Sequence, residues 1–207
     1  MARKTKEDAE QTRMAILDSA LKIFYEKGFS RTTFDEIAKR INLTKGAVYW
    51  HFRNKADVIA ALIEQKVSEQ RKKYPELILS NISELRNAML MRAEAIDNDE
   101  EFRKFLFFMN YRMEWSEAVI ENVWQKIGEL FELSDQRLYE SLLNIQKNGS
   151  IRKDIDINKV KETLICLWKG CVNHHIFNYK TKNDIKLSKI IMNGFDIIMS
   201  GIKVENK

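Results

Sequence analysis

TFDEIAKRINLTKGAVYWHFRNK, residues 33–55, carries the densest set of structural signals in the chain. It reads as two short helices joined by a tight turn. Thr33 followed by Glu36 is a capping box, in which the hydroxyl accepts from an early helical N–H and the carboxylate reaches back to the cap. Ile37, Ala38 and Ile41 then fall on one face. Asn42 stands where the first helix must stop, and Asn tolerates the left-handed conformation that a helix end often needs. Thr44 caps the second helix. That helix points Val48 and Phe52 inward, four apart. Lys45, Gly46, Tyr49, Trp50 and His51 are left to other faces. Two helices with a turn of three or four residues make the DNA-reading helix-turn-helix. Its second helix lies in the major groove with its first residues at the base edges. Here those residues are Thr44 and Lys45, two donors. Gly46 beside them, with no side chain to obstruct, lets the backbone come close to the DNA. Tyr49 and Trp50 also admit a reading as core aromatics, but Val48 and Phe52 already occupy the inward positions.

The surrounding composition agrees. A chain of 207 residues, 44% hydrophobic, supports a true core and argues against disorder. One proline and seven glycines are few breakers, which favours an all-α protein. Residues 1–73 hold 16 Lys and Arg against 10 Asp and Glu, whereas residues 74–207 hold 19 against 20. The basic excess therefore belongs to the segment with the helix-turn-helix, as phosphate binding requires. A merely solvated charged surface would not segregate in this way. Residues 1–6, MARKTK, form a basic arm, either a solvated tail or a minor-groove contact. A first helix over 7–27 presents Ile16, Leu17, Ala20, Leu21 and Phe24. Gly28 ends it, and Phe29 folds back into the core.

The stretch resembles the N-terminal domain of TetR-type transcriptional regulators, in particular the AcrR-like branch. The matching residues are Thr12, Arg13, Ile16, Leu17, Ala20, Phe24, Gly28, Thr32, Thr33, Ile37, Ala38, the run Thr44, Lys45, Gly46, Ala47, Val48, Tyr49, Trp50, His51 and Phe52, and Lys55. The resemblance covers residues 5–65, and Asn42 replaces the glycine usual in the turn. It implies a double-stranded DNA operator as partner, contacted by Thr33, Thr44, Lys45, Gly46, Ala47, Tyr49, Trp50, His51 and Lys55. Lys55, in the first turn of a fourth helix capped by Asn54, would clamp a phosphate.

The remainder reads as helices over 83–96, 100–115, 118–147, 158–178 and 185–202, after a break at Tyr74-Pro75. Ser83 is the expected cap of the first of these. The organisation expected is a helix-turn-helix domain over 1–54, a linking helix over 55–73, and a larger ligand-binding and dimerisation domain over 74–207. Residues 100–115 are apolar nearly all round, as in a helix that is buried or lines a cavity. Phe107, Asn110, Tyr111, Glu114, Trp115, Trp168 and Phe177 are candidate pocket residues, though aromatic side chains at helical spacing are more often simple core. Glu114 among aromatic rings suits a cationic effector. The last two helices carry more apolar surface than one stripe needs, which suggests a subunit interface. Gly170, His174, Ile191, Phe195 and Ile198 are its expected members, since the family dimerises through those helices.

Several classes are disfavoured. No Gly-rich phosphate loop, nucleophile–base spacing or metal-ligand motif is present, so no catalytic residue, cofactor or metal is assigned. His174 and His175 are adjacent and point to different faces of a helix. Cys166 and Cys171 lie on diverging faces and should not bridge, which fits a reducing compartment. No run approaches a membrane span, and no signal peptide opens the chain. The expected function is a cytoplasmic, homodimeric repressor on an inverted-repeat operator. A small hydrophobic or cationic effector would release it, with an efflux transporter as the regulated product. A transcriptional activator and a non-specific architectural DNA-binding protein are the alternatives.

Overall fold

The computed structural model describes residues 6–74, 78–178 and 185–204; of residues 118, 122, 126, 127 and 129–131 it describes only the backbone. The basic arm and Pro75 lie outside the described residues, apart from Lys6. All the regular elements described are helical: α1 (Lys6–Lys27), α2 (Phe34–Arg40), α3 (Lys45–His51), α4 (Lys55–Lys73), α5 (Ile82–Asn98), α6 (Glu100–Phe107), α7 (Glu117–Lys147), α8 (Ile157–Asn178) and α9 (Leu187–Ile202). A π-helical turn, Phe108–Arg112, follows α6. Extended pairing among these residues is confined to an isolated antiparallel bridge between Ile151 and Lys203. The chain forms two compact units, one of residues 1–69 and 104–128, the other of 70–103 and 129–207.

In the first unit, α1 supplies the inner wall through Ile16, Leu17, Ala20 and Phe24, none of them exposed. Ile37 and Ala38 of α2, Val48 of α3 and Val58, Ile59 and Leu62 of α4 are buried with them. Apolar burial of this kind holds helices as short as α2 and α3, which would not persist alone. Gly28 ends α1 at φ +86, with its N–H on the Phe24 carbonyl at 2.8 Å. That left-handed geometry favours glycine. Ser19 is buried and donates to the Ile37 carbonyl at 3.0 Å, tying α1 to α2.

The helix expected over 100–115 stops earlier, and the π-helical turn explains how. Met113 donates to the Phe108 carbonyl at 2.9 Å, closing a five-residue step. The Asn110 amide donates to the Leu106 carbonyl at 2.9 Å, so a side chain competes with the local backbone ladder. The wider turn sets Phe108, fully buried, in a stack on Phe24 with centroids 5.1 Å apart and planes 10° apart. Arg112 accepts from the Phe29 N–H at 3.4 Å.

The second unit is built on α5, α8 and α9. Leu85, Met89, Ala93 and Ile96 of α5 are buried, as are Leu187, Ile191, Phe195 and Met199 of α9. The cap of α5 is Asn81 rather than Ser83: its side chain accepts from the Glu84 N–H at 2.9 Å while Glu84 accepts from the Ser80 N–H at 2.7 Å. Lys186, the residue before α9, makes no side-chain cap. Asp97 at the end of α5 replaces it, accepting from Leu187 N–H at 2.8 Å and Ser188 N–H at 3.0 Å. This carboxylate satisfies two orphan donors and sits at the positive end of the helix. His175 of α8, also buried, brings Nε2 to 3.6 Å from the same carboxylate.

Candidate functional site

The turn between α2 and α3 has the geometry its residues demand. Thr33 and Glu36 form the complete capping box: Glu36 N–H donates to the Thr33 hydroxyl at 3.3 Å and Thr33 N–H to the Glu36 carboxylate at 3.0 Å. Asn42 takes φ +54 in the turn. The Thr44 hydroxyl accepts from Ala47 N–H at 3.2 Å, and Phe52 closes α3 by donating to the Val48 carbonyl at 2.9 Å. Val48 and Phe52 are buried, so the opposite face of α3 must be presented outward.

That face holds Thr44, Lys45, Gly46, Tyr49 and Trp50, all exposed within the first unit, with Ala47 and His51 half-buried beside it. Trp50 is 73% exposed and Tyr49 52%, so neither is a core aromatic. The Tyr49 ring meets Phe34 edge-on at 4.9 Å and lies 5.6 Å from the Lys45 ammonium. These contacts hold a phenol and an ammonium side by side, a pair suited to a phosphate and a base edge. Trp50 stands edge-on to His51 at 4.5 Å. A Cβ on Gly46 would meet nothing closer than the Thr44 hydroxyl at 3.8 Å. Internal packing therefore does not demand glycine there. Thr33 is exposed at the start of α2, as its capping role requires.

Lys55 has a different setting from that of a simple surface clamp. Its ammonium donates to the carbonyls of Phe29 at 2.7 Å and Ser30 at 3.0 Å and lies 4.7 Å from the Phe29 ring. Desolvation by these neighbours holds its pKa below the ordinary lysine value, with Glu114 acting in the opposite sense. Lys55 thus pins the loop that leads into α2. Asn54 caps α4, accepting from Asp57 N–H at 2.9 Å.

The candidate pocket residues are divided between the two units. Phe107, Asn110, Tyr111, Glu114 and Trp115 belong to the first unit, Trp168 and Phe177 to the second. Phe107 packs on Tyr25 and Tyr111, and Glu114 accepts a hydrogen bond from Ser30. Burial raises the Tyr111 pKa. Trp168 lines a cavity of about 400 Å3 in the second unit, between α5, α7 and α8. Leu85, Met89, Leu138, Leu164 and Ile165 belong to its apolar wall, and Arg92, Arg137, Lys169 and Asp135 are the charged groups among its described lining. The sequence signal was Arg92, a charge inside the stripe of Leu85, Met89 and Ile96; the residues of α7 had no such mark.

The expected interface residues also separate. Gly170 and His174 are exposed on α8, and a Cβ on Gly170 would meet nothing within 4 Å. Ile198 is half-buried. Ile191 and Phe195 are fully buried inside the single chain, so they cannot form a contact surface. The outward apolar side chains are instead Phe177, 64% exposed, and Ile197, 72% exposed. Among the described residues no group of three or more His, Cys, Asp or Glu is placed to hold a metal. No helix among them is long and apolar enough to cross a membrane.

An exposed, capped second helix on a three-helix support defines a helix-turn-helix DNA-binding regulator. Residues 16–62 match the family described as bacterial regulatory proteins, tetR family. Over that segment the chain is similar to the TetR family. It is 35% identical over 119 residues to the HTH-type transcriptional regulator AcrR of Shigella flexneri, covering 56% of this chain and 55% of that one. Over 188 residues it is 27% identical to the probable acrEF/envCD operon repressor of Escherichia coli, covering 86% and 82%. In fold it is similar to crystalline native NalD, the secondary repressor of the MexAB-OprM multidrug efflux pump in Pseudomonas aeruginosa, with TM-score 0.79, 20% identity, and 96% and 100% coverage. These relatives are transcriptional regulators by name.

Proposed function

We propose that this protein is a cytoplasmic repressor that binds an inverted-repeat operator as a homodimer and leaves it when a small hydrophobic effector binds. Residues 1–54 read DNA, residues 55–73 transmit, and residues 74–207 take the effector and the partner subunit. The observation that carries this reading is the outward face of α3, where Lys45, Tyr49 and Trp50 project from a helix whose other face is locked by Val48 and Phe52. Thr44, Gly46 and Ala47 let the helix N-terminus approach base edges. Thr33, at the start of α2, meets a backbone phosphate, and His51 lies at the edge of the contact. Lys55 holds the loop before α2 in place.

Two heads related by a two-fold axis read half-sites separated by about 34–36 Å or a multiple of it. The partner surface is the exposed side of α8 and α9, with Gly170, His174, Phe177 and Ile197 in contact and Ile198 at its margin. Ile191 and Phe195 support it from within. The cavity beside Trp168 takes the effector, since about 300–1,000 Å3 of mostly apolar space with a few polar groups is what a small-molecule site needs. Relatives named as operon or efflux-pump repressors support an efflux transporter as the regulated product.

The test is binding of purified protein to the DNA upstream of its own gene, by mobility shift, against random duplex at physiological salt. Preferential binding of an inverted repeat, lost on adding a hydrophobic compound, is the expected result. Equal binding of random duplex would sink the reading in favour of an architectural protein.

A further inference from the structure

Residues 28–32, which join α1 to α2, are held from several sides. The Lys55 ammonium donates to the Phe29 and Ser30 carbonyls at 2.7 and 3.0 Å. The Ser30 hydroxyl donates to the Glu114 carboxylate. The Phe29 N–H donates to the Arg112 carbonyl at 3.4 Å, and the Thr32 hydroxyl to the Gly28 carbonyl at 2.8 Å. Burial holds the Lys55 pKa down, and the charge of Glu114 acts in the opposite sense. An ammonium, a hydroxyl and a carboxylate from three stretches of the first unit thus meet at one loop.

That loop leads directly into the reading head. Thr33, the next residue, caps α2. Phe34, the first residue of α2, is buried and meets the Tyr49 ring of α3 edge-on at 4.9 Å. Tyr49 in turn lies beside the Lys45 ammonium. We infer that Lys55, Ser30 and Glu114 are positioning residues for DNA recognition. They fix the loop before α2 and, through Phe34, the angle at which α3 presents Tyr49 and Lys45, without touching DNA themselves. This rests on the reading of α3 as the helix that meets the operator. Lys55 commits protons to two carbonyls and lies 4.7 Å from the Phe29 ring, so its ammonium faces inward rather than toward a phosphate. A carboxylate beside a DNA-binding surface repels phosphates, so any help that Glu114 gives to binding comes through position.

The experiment is mobility shift of the full chain over a range of salt on two duplexes, the inverted repeat upstream of its own gene and a random sequence. Lys55→Met should lower affinity for the repeat about tenfold. It should leave the slope of log affinity against log salt unchanged, because no phosphate contact is lost. A slope reduced by about one would make Lys55 a phosphate clamp and overturn its positioning role. Ser30 and Glu114 are exposed, so Ser30→Ala and Glu114→Ala test the same point without risk to the core. By charge alone Glu114→Ala would tighten binding to both duplexes. The positioning role predicts about threefold weaker binding to the repeat in each of these two variants, with affinity for random duplex undiminished. Variants that merely lost folded protein would weaken on both duplexes in proportion, and circular dichroism checks the fold. Ser30→Ala combined with Glu114→Ala should bind the repeat as the single variants do, since both remove one contact. Unchanged or tighter binding of the repeat by Glu114→Ala, equal losses on the two duplexes, or additive losses in the double variant overturn the proposal. If the natural protein does not prefer the repeat, the operator reading fails first and this role falls with it. If it does and the variants keep that preference, this role alone fails.

Discussion

Lys45 and Tyr49 share one side of α3, and their aromatic–cation contact orients both outward. Lys45→Ala should lower operator affinity about tenfold and reduce the salt slope by about one, the signature of one lost phosphate contact. Tyr49→Ala should weaken binding of the inverted repeat while the oligomeric state in sedimentation stays the same. Unchanged operator affinity in both variants would refute α3 as the reading helix. Thr44 acts on structure. Its hydroxyl caps α3, and Thr44→Val should destabilise the head by about 1 kcal/mol in thermal unfolding. The cap and the outward placement of these side chains could be read from sequence because they lie within one turn. Lys55 could not. Its ammonium reaches carbonyls 25 and 26 positions away, a contact no local pattern announces.

Among the elements, α1 and α2 are joined at the surface by two ion pairs, Lys27 with Glu36 and Arg40 with Glu26, the latter bidentate at 2.9 Å. Lys27 first, with the Thr33 backbone, holds Glu36 below the ordinary glutamate value of 4.5, and Arg40 does the same for Glu26. Their folded pKa values lie below the unfolded ones, so their stabilisation is complete above pH 4.5 and is lost as pH falls through the folded values. Acidification below that point should loosen the α1–α2 contact, and Glu36→Gln should flatten this part of the stability profile measured by circular dichroism. Exposure of both pairs keeps the effect small. At the far end of the chain, Asp97 does for α9 what no residue next to that helix does. Asp97→Ala removes acceptors from two helical N–H groups and leaves His175 without its carboxylate. A loss of about 2–3 kcal/mol in urea unfolding is expected. A value near zero would show that water replaces the cap at no cost. The starts of α2 and α3, with their caps next to them, are legible in the sequence. α5 starts from Asn81 rather than Ser83, although both residue types suit a cap.

At the scale of the molecule, the proposed dimer would bind its operator through two linked contacts, and the linkage would supply much of the affinity. Ile197 and Phe177 are the large apolar side chains that α9 and α8 leave outside the single chain. Ile197→Asp combined with Phe177→Asp should give a helical monomer in sedimentation, with operator affinity reduced about a hundredfold or more. A dimer that survives both charges would place the interface elsewhere.

The helical class, the helix-turn-helix, its caps and its outward face follow from local chemistry in the chain. Glycine and asparagine at left-handed positions, hydroxyls ahead of apolar runs and a 3.6-residue period act within a turn or two, so order along the chain is enough to read them. Which of several apolar faces is core required the tertiary structure. Ile191, Phe195 and Ile197 look alike in sequence, yet packing against α5 and α8 buries the first two and leaves the third exposed. The π-helical turn that brings Phe108 onto Phe24 is decided in the same way, by a stack between rings 84 positions apart. The cavity comes from α5, α7 and α8 together. Burial is a property of the assembled surface, and contacts distant in the chain set it.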